Sequence, residues 1–140
     1  GLAEAQCKLA TMHDDGQGVA QDFTRAAELF KLAADQGYAE AQYGLGGMYF
    51  HGHGVAKDVT RAAELYTLAA DQGLAGARAG LGKLATAYFD GHGVAKDDKR
   101  AAELFKLAAD QGYADAQFNL GWMYLHGEGV PKRPAHIVLA

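Results

Sequence analysis

A run of fifteen residues occurs twice without a change. Arg25 to Ala39 and Arg100 to Ala114 both read RAAELFKLAADQGYA, and Arg61 to Ala75 repeats it as RAAELYTLAADQGLA. Duplication this close marks an array of one supersecondary unit. Such a unit cannot bury its apolar face alone and must stack on its neighbours. Arrays of this kind are read for the surface they offer a partner rather than for a catalytic centre. The glycines that open each unit, Gly1, Gly37, Gly73 and Gly112, give steps of 36, 36 and 39 residues. The expected repeats are 1–36, 37–72, 73–111 and a truncated 112–140, together one repeat domain over 1–140.

The unit from Gly37 to Gln72 serves as the reference. Its second half is an amphipathic helix, because Ala62, Ala63, Leu65, Tyr66, Ala69 and Ala70 fall on one broad face. Asp58 is placed to cap it, since a short carboxylate accepts from free backbone N–H groups. Gly73 is placed as the left-handed residue that ends it. Asp22 with Gly37 and Asp97 with Gly112 repeat the arrangement. The first half is also helical, with Tyr38, Ala41, Leu45 and Tyr49 on one face. Gly46 beside that face implies close approach of the partner helix, since a glycine inside a helix costs about 1 kcal/mol against alanine. The helix stops at Gly52, and Gly54 turns the chain back.

Composition narrows the function. The 140 residues carry a net charge of −4, so there is no basic surface for nucleic acid. No apolar run is long enough to span a bilayer. Cys7 is the only cysteine, which rules out an intrachain disulfide and leaves the compartment open. The chain starts at Gly1 without an initiator methionine, so it reads as a piece of a longer protein, and any leader before it would not be visible.

The pattern A-x-A-x-x-x-L-G-x-M-Y-x-x-G-x-G-V, then K-D, then R-A-A-E-L-Y-x-x-A-A-x-x-G, runs here through Ala39, Ala41, Leu45, Gly46, Met48, Tyr49, Gly52, Gly54, Val55, Asp58, Arg61, Ala62, Ala63 and Gly73. It resembles the Sel-one-like repeat family, a relative of the tetratricopeptide repeat, over all but the last eight or so residues. The resemblance implies an all-α fold, an α-solenoid of stacked helix–turn–helix repeats wound into a right-handed superhelix. It also implies an adaptor or scaffold that binds a protein or peptide on its concave face, with the first helix of each repeat lining that face. Some cysteine-rich bacterial members pair one disulfide per repeat and are associated with β-lactam binding. This chain lacks those cysteines. Hydrolase or β-lactam-binding activity therefore stands as an alternative by analogy, and a purely structural, self-associating array as another.

Carried over by that analogy, the concave positions of the reference unit are Glu40, Tyr43, Gly47, Phe50 and His51. Unit one supplies Glu4, Cys7, Thr11, Asp14 and Asp15, and unit three Thr86, Phe89 and Asp90. Unit four supplies Asp115, Phe118, Trp122, Leu125 and His126. The face is acidic, which favours a partner carrying basic and aromatic or aliphatic side chains. Trp122 stands where other units have Thr11, Gly47 and Thr86. A core site does not alternate between glycine and tryptophan without a cavity or a clash. Two readings of Trp122 follow: an exposed recognition residue with Phe118 and Leu125 one turn away, or a cap packed on the irregular carboxy end.

Unit three carries three extra residues before its turn, and two registers are open. Either Leu84 and Ala85 or Leu81 and Gly82 take the Leu45–Gly46 positions. Three residues advance a helix by about 300° and 4.5 Å. In unit four, PKRPAHIVLA replaces the expected second helix. Pro134 would start a short last helix, and the bare apolar surface of this unit is a candidate for self-association.

No catalytic constellation, cofactor motif or metal set emerges. His51 and His53 are the only close histidine pair, because equivalent turns of neighbouring repeats lie about 10 Å apart. Cys7 reads as a small groove residue and His13 as an interface residue at the Tyr49 position. Glu28 with Lys31 and Glu103 with Lys106 read as i,i+3 ion pairs on the solvated side.

Overall fold

The structure, a computed structural model, describes residues 1–134. Among the described residues there are seven helices and no strand. They are α1 (Leu2–Asp15), α2 (Phe23–Ala34), α3 (Ala39–His51), α4 (Val59–Asp71), α5 (Ala75–Asp90), α6 (Asp98–Asp110) and α7 (Ala114–His126). The odd-numbered helices are the first halves of the repeats and the even-numbered ones the second halves. The short last helix expected from Pro134 falls on residues 135–140, outside the described residues.

The helix ends form as their residues dictate. The carboxylates of Asp22, Asp58 and Asp97 each accept from the backbone N–H three residues on, at 3.0 Å. The same aspartates use their own N–H groups to close the preceding turn. Asp22, Asp58 and Asp97 donate to the carbonyls of His13, Tyr49 and Tyr88 at 2.8–2.9 Å. One residue thus ends the inter-helix turn and starts the next helix. At this position unit four has Arg133, whose N–H still reaches Tyr124 O at 2.8 Å while its guanidinium lies 4.2 Å from the Tyr124 ring centre. The turn survives there but the carboxylate cap is gone. At the far ends, Gly37, Gly73 and Gly112 sit at φ of 83°, 91° and 83°. The residue after each donates back five residues, as Tyr38 does to Ala33 O at 3.2 Å, which is a Schellman closure.

Contacts divide the chain into two compact units, Gly1–Ala77 and Arg78–Ala140. In the first, α1 packs on α2, α2 on α3 and α3 on α4. Its core joins Cys7 and Ala10 of α1, Ala26, Leu29, Phe30 and Ala33 of α2, and Ala41, Leu45 and Met48 of α3. Small residues let the helices approach. A Cβ on Gly44 would fall 2.7 Å from the Phe30 ring, and one on Gly46 would fall 2.8 Å from Tyr66 and 3.4 Å from Ala62 O. The close approach expected at Gly46 is therefore present, made mainly by the Tyr66 ring. In the second unit α6 packs on α7. Leu81, Leu84, Leu104 and Met123 are its fully buried large side chains.

The turn glycine Gly54 does more than reverse the chain. A Cβ there would overlap the carbonyl of Phe23 and lie 3.0 Å from Thr24 N, so the turn of repeat two rests on the start of α2 in repeat one. Gly129 stands in the same way against Asp98 and Lys99 at the start of α6. Glutamines add a second lock. Gln36 Nε2 donates to Gln6 Oε1 and Gln72 Nε2 to Gln42 Oε1, both at 2.8 Å, tying the end of each second helix to the first helix of its repeat. Gln42 is the one buried polar side chain in the described core. Arg78 takes the Gln42 position in repeat three, and its Nε is buried without a hydrogen-bond partner among the described residues.

The extra residues of repeat three lengthen a helix rather than a loop. α5 has 16 residues against 13 in α3 and α7, and all three start two residues after the unit's opening glycine. Leu81, Leu84 and Ala85 are all fully buried. Both registers are thus used. A three-residue shift returns to within about 60° of the same face, so both leucines fit one broad apolar stripe.

Two local expectations are corrected. Glu28 and Glu103 pair with Arg25 and Arg100 at 3.1 and 3.2 Å, not with Lys31 and Lys106. The planar guanidinium one turn earlier outcompetes the ammonium, which turns to Asp35 or Asp110 instead. Cys7 is not on the groove surface. It is 7 % exposed and belongs to the core, because α2 and α3 close over that side of α1.

Candidate binding surface

The residues expected on the first-helix face separate into two groups. In the second unit, Thr86, Phe89 and Asp90 of α5 face Phe118, Asn119, Trp122 and Met123 of α7. Phe105 of α6 forms the floor, and the cleft between them measures about 320 Å³. Five expected residues, Thr86, Phe89, Asp90, Phe118 and Trp122, are brought together here. Trp122 meets Phe89 edge to face at 5.9 Å. It also stacks on His126 with ring centres 4.0 Å apart, and that imidazole is fixed by a 2.8 Å hydrogen bond between Nδ1 and Trp122 O. Trp122 is 39 % exposed and Phe118 73 %. Leu125 is half-buried on the same helix.

A second depression of about 250 Å³ shares Thr86, Phe105 and Asn119 with the cleft. It adds Gly82, Lys83, Tyr113 and Asp115, so Asp115 lies on the same groove one turn or more from Trp122. Sequence reasoning missed Phe105, Asn119 and Met123. Phe105 had a signal, since Phe30 and Tyr66 hold the same position in repeats one and two and also face a first helix. Asn119 had none.

The first unit treats the equivalent residues differently. Tyr43 is exposed, yet its ring lies 5.7 Å from Tyr66, and a Cβ at Gly76 would lie 3.4 Å from it. Phe118 holds the Tyr43 position and has no such cover among the described residues. Glu40 is exposed. Phe50 meets His51 at 4.9 Å, His51 stacks near His53 at 5.5 Å, and His53 stacks on Phe23 at 4.6 Å. Burial and the charge of Asp15 push the Asp14 carboxyl above its ordinary range, and His53 and His51 pull it back. No group of three or more His, Cys, Asp or Glu that could hold a metal ion occurs among the described residues. Burial, followed by the charge of Glu40, pushes the Cys7 thiol up and so suppresses its nucleophilic thiolate. His13 is half-buried at the helix interface, with Nδ1 unpartnered among the described residues.

In unit four, Leu120 and Gly121 are only half-buried where Leu45 and Gly46 are buried. No helix among the described residues is long and apolar enough to cross a membrane.

The Sel1 repeat pattern matches residues 3–38, 39–74, 77–113 and 114–134, which covers nearly all of the described chain. The chain belongs to the Sel1 repeat family. Solved structures agree. The Sel-one-like repeat protein c5321, a protective antigen present in uropathogenic Escherichia coli strains, is 34 % identical over 99 % of this chain, with a TM-score of 0.73. A Sel1 repeat protein from Oxalobacter formigenes is 33 % identical over 94 %, with a TM-score of 0.67. Cysteine rich protein B of Helicobacter pylori is 25 % identical over 84 % of this chain and spans 89 % of its own length, with a TM-score of 0.52. This Sel1 chain spans 29 % of the first protein and 53 % of the second. No curated protein matches it significantly. Sel1 repeat proteins are generally protein-interaction scaffolds, and the family is typically non-enzymatic.

Proposed function

We propose that this Sel1 chain is an interaction module that docks a peptide or protein segment on its first-helix face, chiefly between α5 and α7. The observation that carries the reading is the cleft floored by Phe105 and flanked by Phe118 and Trp122. Large apolar side chains left on a surface are the usual anchors of a protein interface, and tryptophan is enriched among them. A cavity of about 150 Å³ accepts benzene. At about 320 Å³ this cleft has room for one large side chain and its stem. Leu125, His126 and Asp115 extend the docking surface along α7. Tyr43, Phe50, His51 and Glu40 extend the same kind of surface in the first unit.

The test compares the unaltered protein with Phe118→Ala and Trp122→Ala in pulldowns from the source cells. Recovered partners are then purified and titrated directly. Both variants should keep their helical circular dichroism and lose at least tenfold in affinity. Unchanged affinity in both would refute the cleft as the docking site.

A further inference from the structure

The cleft carries charge at one end as well as apolar walls. Asp90 closes α5, lines the cleft and is exposed. Its carboxylate has no salt-bridge partner among the described residues. The nearby cation is already matched: Lys96 Nζ lies 2.6 Å from Asp98 Oδ1, donates to Phe89 O at 2.7 Å and covers the Phe89 ring at 4.6 Å. Asp98 is held below the usual carboxylate range first by that hydrogen bond to Lys96, so the pair is ionised and self-neutralising at neutral pH. At the other end, Lys83 and Asp115 both line the adjoining depression. The net unmatched charge of the combined groove is therefore negative, and it sits at the Asp90 end, beside Phe89 and Trp122.

We infer that the α5–α7 cleft selects a peptide segment in which an aromatic or large aliphatic side chain stands beside a lysine or arginine. This rests on the docking reading above. The apolar side chain enters between Phe118 and Trp122 toward Phe105 and Met123, and the neighbouring cation meets the Asp90 carboxylate. An acidic neighbour would meet that exposed carboxylate with like charge, so the same feature disfavours the wrong partner.

The probe is a phage-displayed library of random twelve-residue peptides panned on the unaltered protein, on Asp90→Lys and on Phe118→Ala with Trp122→Ala. Asp90 ends a helix, where a lysine is favourable to the dipole, so Asp90→Lys should fold as well as the parent. The expected result is an aromatic or aliphatic anchor with Lys or Arg within about two residues. Asp90→Lys should replace that cation with Asp or Glu, and the double variant should select nothing. A synthetic peptide of the winning sequence should bind Asp90→Asn about fivefold more weakly, the scale of a surface ion pair. Winners with an apolar anchor but no charge preference would overturn this inference and leave the docking reading intact. Winners that bind the double variant as well as the parent, or no winners at all, would overturn both.

Discussion

Gly18 and Gly54 hold the same place in successive turns and have nearly the same backbone, with φ of 75° and 73°. Replacing either by alanine puts a Cβ in the left-handed region, at about 1–2 kcal/mol. The surroundings then separate them. A Cβ on Gly18 meets only the terminal methyl of Met12 at 3.3 Å, which can swing aside. A Cβ on Gly54 would overlap the Phe23 carbonyl, with Thr24 N 3.0 Å away, and both are backbone atoms at the capped start of α2. Relieving that overlap forces the two repeats apart, at about 1–3 kcal/mol more. Gly18→Ala should therefore lower stability by about 1–2 kcal/mol and Gly54→Ala by about 2–5 kcal/mol. Urea unfolding followed by circular dichroism at 222 nm measures both. Equal losses within about 0.5 kcal/mol would refute the claim that Gly54 serves the contact between repeats.

Other outcomes follow from the same geometry. Asp58→Ala removes the α4 cap that accepts from Arg61 N and should cost about 1 kcal/mol in urea midpoint stability, with Asp58→Asn restoring most of it. Gln72→Ala strands the Gln42 amide, which is 5 % exposed, and should cost about 1–3 kcal/mol, whereas Gln36→Ala, whose partner Gln6 is less buried, should cost less. Phe118→Ala should change stability by less than about 0.5 kcal/mol, since that ring is 73 % exposed. Burial, followed by the charge of Tyr43, pushes the Tyr66 phenol up to about 12, above its ordinary value near 10. The neutral phenol is the one the fold accepts, so the associated stability is complete below pH 10 and is lost as pH rises toward 12. The loss is about 2–3 kcal/mol, readable as a fall in urea midpoint across that window that is absent in Tyr66→Phe.

The repeat architecture was legible because each of its controls is local. An aspartate cap, a glycine at positive φ and a face of alanines and leucines act within one turn of helix, so their spacing reports them directly. Cys7 was misplaced because a single repeat does not show which side of its first helix the next one covers. The Glu28 pairing was misjudged for a related reason: Lys31 and Arg25 are equally spaced from it, and only side-chain geometry decides. Among the cleft residues, Trp122 stood out because its position alternates with glycine and threonine. Phe105 did not, because the second helix reads as core and its reach into the groove depends on how α5 and α7 part above it, and Asn119 of α7 carried no signal at all. The glutamine locks were invisible for the same reason, since each joins residues 30 apart in sequence.

Trp122 is the only tryptophan in the chain, which gives the cleft a reporter of its own. The decisive measurement is amide chemical-shift mapping during titration with a library-selected peptide, with Trp122 fluorescence followed in parallel. Shifts concentrated on Thr86–Asp90 and Phe118–His126, with a saturable change in indole emission at the same midpoint, are the predicted result. Shifts confined to the outer faces of α2, α4 and α6, with the cleft amides and the indole unmoved, would contradict it.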